Sequence, residues 1–147
     1  MNKIKLIICA LFVCTSISVK AQEHQDVIIQ DAWVAALPPS QTVTAAYLTV
    51  DNLSNEEIVL VSASTPVAGI TEMHRMSHEN GMMKMGMLKN VKIPAGAHLK
   101  FEPGANHLML INLKKPVLAG DSIPITLNFK SGKSITVNAQ ARVEPAE

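Results

Sequence analysis

From Val27 to Ala141 the sequence is a succession of short apolar or alternating runs, and none of it sustains the 3.6-residue apolar period of an amphipathic helix. The runs are Val27–Leu37, Ala45–Asn52, Ile58–Ser64, Ile70–His78, Met82–Leu88, His98–Phe101, His107–Leu113, Ser122–Phe129 and Ser134–Ala141. Between them stand Pro38-Pro39, Asn80-Gly81, Pro94-Ala95-Gly96, Pro103-Gly104, Ala119-Gly120-Asp121 and Ser131-Gly132-Lys133. Glycine supplies positive φ and proline blocks continued ladder pairing, so these breaks read as turns. Strands at this spacing suggest a β-sandwich or barrel, and the chain is expected to be all-β. Aromatic residues make up only 3% of the chain, which leaves the core to Val, Ile, Leu and Met.

Ahead of these runs the chain reads as a secretory signal. Lys3 and Lys5 supply a positive start, Ile4 to Val13 is mostly apolar, and Val19-Lys20-Ala21 offers small residues at a cleavage site. Cleavage there removes residues 1–21 and leaves Gln22 at the N-terminus of a single exported domain, 22–147. The apolar stretch is too short to span a bilayer as a helix. Val13 before Cys14 argues against a lipid anchor at that cysteine. Both cysteines, Cys9 and Cys14, fall inside the signal, so the mature domain is expected to have no disulfide, thiolate ligand or cysteine nucleophile. Cleavage also takes Lys3, Lys5 and Lys20 from 13 basic residues and nothing from 12 acidic ones, a net charge of −2. That balance excludes the basic footprint of a nucleic-acid-binding protein.

The chemistry concentrates in His74, Met85, His107 and Met109, spaced H-x10-M-x21-H-x-M. Thioether sulfur is a soft donor suited to Cu(I), whereas zinc, magnesium and calcium favour nitrogen, oxygen or thiolate. Outside the cytoplasm thioethers also escape the oxidation to disulfide that removes thiolates. Asn80-Gly81 is a favoured two-residue hairpin turn. It pairs Glu79 with Met82, His78 with Met83, Met76 with Met85 and His74 with Met87. Strand parity then puts His74, Met76, His78, Met83, Met85 and Met87 on one face, with His74 and Met85 diagonal neighbours. In Asn106-His107-Leu108-Met109, an extended chain points His107 and Met109 one way and Leu108 and Leu110 the other.

Methionine usually fills gaps in a core. Six of the methionines nevertheless crowd between Met73 and Met87, interleaved with His74 and His78, a density that packing alone does not require. Met73, Met82 and Met83 taken singly read as packing or surface residues, His24 and His98 as solvated, and His78 as an auxiliary ligand at most. The chain shows no Ser/His/Asp arrangement, no phosphate-binding glycine loop and no paired carboxylates. A blue-copper site needs a thiolate. The expectation is a metal-binding protein and not an enzyme.

The sequence resembles the periplasmic copper chaperones of the PCuAC type from about Asp31 to Arg142. The resemblance rests on Ala32-Trp33-Val34 with Leu37-Pro38-Pro39, Ala45-Ala46-Tyr47-Leu48, Glu72-Met73-His74 and Gly81-Met82-Met83-Lys84-Met85. It continues through Ile93-Pro94-Ala95-Gly96, Glu102-Pro103-Gly104, His107-Leu108-Met109-Leu110 and Gly120-Asp121-Ser122-Ile123-Pro124. It implies a cupredoxin-like Greek-key β-sandwich and Cu(I) held by His74, Met85, His107 and Met109 near one end of the sandwich. It further implies delivery, as a monomer, to the dinuclear copper centre of cytochrome c oxidase subunit II, alongside a Sco-type protein. Asn106 stands where the family commonly has an aromatic. The chain ends Val143-Glu144-Pro145-Ala146-Glu147 without a His/Met-rich tail, so one Cu(I) per chain is expected. The rival readings are a periplasmic copper buffer or resistance protein without an oxidase acceptor, and an interaction sandwich whose methionines form a docking patch.

Overall fold

A computed structural model describes residues 26–144. The expected signal peptide and His24 lie outside these residues. Ten strands are described: β1 Val27–Ala35, β2 Val43–Asn52, β3 Ile58–Ser64, β4 Ala68–Glu79, β5 Met82–Met87, β6 Val91–Ile93, β7 His98–Phe101, β8 Asn106–Leu113, β9 Ser122–Phe129 and β10 Ser134–Arg142. No helix occurs among the described residues. The strands join in the order β5-β4-β8-β2-β1-β10-β9-β3-β6, with β7 also pairing β2. The β1–β10 contact is parallel and the others are antiparallel.

This path folds over, so that residues of both halves meet in one core. Ala46, Leu48, Val50, Met73, Leu108 and Leu110 come from the β4–β8–β2 side, and Leu60, Ile123, Ile125, Leu127 and Ala139 from the β3–β9–β10 side. The alternation read from the sequence is the cause. In β2 the even positions from Ala46 to Asn52 are buried, and in β8 Leu108 and Leu110 are fully buried. Removing such a side chain, as in Leu110→Ala, costs about 2–5 kcal/mol.

Besides shifts of one or two residues at other strand ends, three features depart from the sequence expectation. The three-residue β6 pairs Ile58–Leu60 and is too short to show a period. β1 ends at Ala35 instead of Leu37, because the Ala36 and Leu37 amides turn to the carbonyls of Arg142 and Val117. β1 also carries a bulge at Asp31, where φ is 52° and the register with β2 shifts between Gln30 and Trp33. One extra residue reverses strand parity. Val27 faces inward before the bulge and Val34 after it, while Trp33 moves to the outer face beside Tyr47.

Asn52 ties one end of the sandwich together. Its fully buried amide nitrogen lies 2.7, 3.0 and 3.0 Å from the carbonyl oxygens of Glu56, Ile93 and Pro94. Its amide oxygen accepts from the Ser54 amide at 3.1 Å and hydroxyl at 2.6 Å.

Candidate metal centre

β4 is the central strand of the site, with β5 on one side and β8 on the other. Asn80 (φ 53°) and Gly81 (φ 76°) form the two-residue turn that joins β4 to β5. The resulting register is the one expected from the sequence: Glu79 opposite Met82, His78 opposite Met83, Met76 opposite Met85 and His74 opposite Met87. On the other side His74 lies opposite His107, and Glu72 opposite Met109. Because facing residues share a face, His74, Met85, His107 and Met109 all stand on the outer side of the sheet. Leu108 and Leu110 point to the core. The site is therefore a surface of the sheet, bordered by the Gly104 loop.

The two imidazoles are the close pair. Their ring centroids are 5.9 Å apart and their planes incline by 28°. His107 is buried, and the His74 side chain is 13% exposed. Met109 is half-buried beside His107, whereas Met85 is 52% exposed. Met76, His107 and Met109 line a shallow groove with Ala45, Tyr47 and Gly104. The expected auxiliary residue His78 is exposed near the turn, four residues along β4 from His74, a rise of about 13 Å in an extended strand. His98 is exposed, as read from the sequence, and Met73 is a core residue.

Hydrogen bonding sets which ring nitrogen each histidine presents. His107 Nδ1 lies 3.1 Å from the Ala105 carbonyl oxygen, which can only accept, so Nδ1 carries the proton and Nε2 keeps its lone pair. His74 Nε2 lies 2.8 Å from Glu72 Oε2 and donates to that carboxylate. His74 Nδ1 then keeps the lone pair; it is buried and has no hydrogen-bond partner. An unpaired buried acceptor is costly unless a ligand satisfies it. A carboxylate–histidine pair of this kind is a usual support for a metal-binding imidazole. Met76 was placed on this face from the sequence, whereas Glu72 was not singled out as a site residue. The signal was their even spacing from His74, which puts all three on one face of β4.

No group of three or more His, Cys, Asp or Glu side chains is placed to hold a metal ion among the described residues. The donor set is two imidazole nitrogens with thioether sulfurs, which fits a soft monovalent cation and serves hard divalent ions poorly. Asn106 points to the opposite face from His107. It accepts from Arg75 Nε at 3.1 Å and donates to the Lys100 carbonyl at 3.1 Å.

Beside the groove a smaller outer cluster of Trp33, Ala35 and Tyr47 packs against Ala45. The Trp33 and Tyr47 ring centroids are 4.4 Å apart, and the Arg142 guanidinium sits 4.2 Å from the Trp33 centroid. Burial, the Glu144 charge and the hydrogen bond from the Tyr47 hydroxyl to Glu144 Oε1 (3.5 Å) push the Tyr47 pKa up from 10.0 to about 12.

Fold and donor set together define a class, a cupredoxin-like β-sandwich with a soft-metal face. The family model described as "Putative lipoprotein LpqE-like" matches residues 27–141. Lxx21020 of Leifsonia xyli subsp. xyli is 32% identical over 130 residues, covering 88% of this chain and 77% of that protein. The solution structure of Cu(I)-bound DR1885 from Deinococcus radiodurans is 36% identical, covers 84% of this chain and 83% of that one, and has a TM-score of 0.66. The copper-bound PCuAC domain from PmoF2 shares the fold at 18% identity, with a TM-score of 0.67 over 81% of this chain and 94% of that one. The chain belongs to the LpqE-like family, which is the family of the PCuAC domains.

Proposed function

We propose that this protein is an exported copper chaperone that holds one Cu(I) through His74, Met85, His107 and Met109 and passes it to the copper centre of a respiratory oxidase. The observation that carries the reading is the paired imidazoles: one buried ring and one mostly buried ring, each with one nitrogen engaged by the protein and the other left with its lone pair, on a face that also carries thioethers. The Cu(I)-bound state of DR1885 supports Cu(I) as the cargo. Export is supported by the signal-like N-terminus and by the lipoprotein descriptions of the family and the Leifsonia protein.

The graded exposure of the ligands suits transfer. The imidazoles anchor the ion from the buried side, while Met85, half open to solvent, is the ligand an acceptor can displace first. Replacement one ligand at a time avoids releasing free Cu(I).

Deletion of the gene tests the destination. Loss of oxidase activity that added copper restores fits delivery to the oxidase. Copper sensitivity with normal oxidase activity identifies a buffer and removes the delivery step.

A further inference from the structure

The four-ligand site uses one residue of β5, yet that strand carries four methionines. Met82, Met83, Met85 and Met87 are 61, 54, 52 and 52% exposed, and no residue of β5 is buried. Core packing therefore does not explain them. In a two-residue hairpin the residues flanking the turn form a hydrogen-bonded pair, here Glu79 and Met82. Pairs then alternate, so His78–Met83, Met76–Met85 and His74–Met87 are non-hydrogen-bonded pairs, the type in which Cα atoms come within about 4.5 Å and side chains lie closest. Each of these rungs consists only of imidazole and thioether groups, and all lie on one face. The Lys84–Glu79 ion pair joins residues of the other parity, on the opposite face. The innermost rung meets His107, and the outermost, His78–Met83, stands one residue from the turn.

We propose that His78 and Met83 form a second, outer Cu(I) site, with Met85 as the donor shared between it and the inner site. The inference rests on the Cu(I) reading above and extends it to the path of the ion. His78 and Met83 take Cu(I) at the exposed tip of the hairpin. Met85, one rung further in on the same face, exchanges between the outer pair and the imidazoles. The ion moves by ligand substitution alone and remains Cu(I), with no electron transferred. Fewer donors and full solvent access make the outer site the weaker one.

The test is an anaerobic Cu(I) titration of the mature protein carrying labelled methionine methyl groups and labelled histidine rings, each followed by NMR, for the wild type and the double variant His78→Ala/Met83→Ala. Both replaced side chains are exposed, so the fold is retained. The first equivalent is expected to shift the Met85 and Met109 methyls. A second, weaker equivalent is expected to shift Met83 and the His78 ring, and the double variant loses the second equivalent while keeping the first. An unmoved Met83 in excess Cu(I), or a second equivalent that survives in the double variant, overturns the outer site. A Met109 methyl that never moves instead overturns the inner site, whatever Met83 does.

Discussion

The choice of ring nitrogen is made by neighbours that are not themselves candidate ligands. The Ala105 carbonyl directs His107 to present Nε2, and the Glu72 carboxylate directs His74 to present Nδ1. Glu72→Ala is expected to lower Cu(I) affinity about 10–100-fold, the usual cost of removing a group that orients a metal-binding imidazole. Glu72→Gln is expected to restore part of it, since an amide oxygen still accepts from Nε2–H. Competition with a chromogenic Cu(I) chelator measures both, and wild-type affinity in the alanine variant would remove Glu72 from the site. His107→Ala and Met109→Ala each delete a proposed ligand, so their losses should exceed that of Glu72→Ala while the thermal transition stays cooperative. The even spacing from Glu72 to His74 allows their contact. It becomes specific only when side-chain rotamers are known, and the sequence does not display those.

At the scale of elements, the β4–β5 hairpin was legible because an Asn-Gly turn leaves a single register. The Asp31 bulge was not, because a change of parity within β1 is written in no turn residue. β6 was not, because three residues carry no period. Neither contributes a candidate ligand, which is why the four could be read before the strands were complete. One residue inserted between Gly81 and Met82 displaces the β5 ladder by one and turns Met85 to the opposite face. Cu(I) affinity is then expected to fall with the melting temperature almost unchanged, since no residue of β5 is buried. Unchanged affinity would show that Met85 does not bind. Asn52→Ala is expected to behave in the opposite way. It strips partners from three carbonyls and from Ser54 and costs about 3 kcal/mol in chemical denaturation, with copper binding preserved in the folded fraction.

For the whole molecule, a thin aliphatic sandwich presents one chemically distinct outer face, and the aromatic cluster at Trp33 and Tyr47 borders it. The raised pKa of Tyr47 makes that border sensitive to alkali. The folded state holds the phenol neutral until about pH 12, whereas an unfolded tyrosine ionises near pH 10.0. This contribution to stability is complete below pH 10 and is lost as pH rises towards 12. Denaturation midpoints of wild type and Tyr47→Phe should therefore diverge in that window, with the wild type falling faster, and parallel curves would contradict it. The all-β architecture was legible in the turns, and the candidate donors in the methionine density. The destination of the ion was not, because an acceptor is recognised by a surface whose partner the chain does not encode. The central claim is that these two imidazoles and two thioethers act as one soft-metal site. Anaerobic Cu(I) titration of the mature protein against a competing chelator, beside His74→Ala and Met85→Ala, tests it most directly. Tight one-to-one binding that weakens sharply in both variants is the expected result. A wild-type protein that leaves its copper with a weak chelator, or variants that bind as the wild type does, would contradict it.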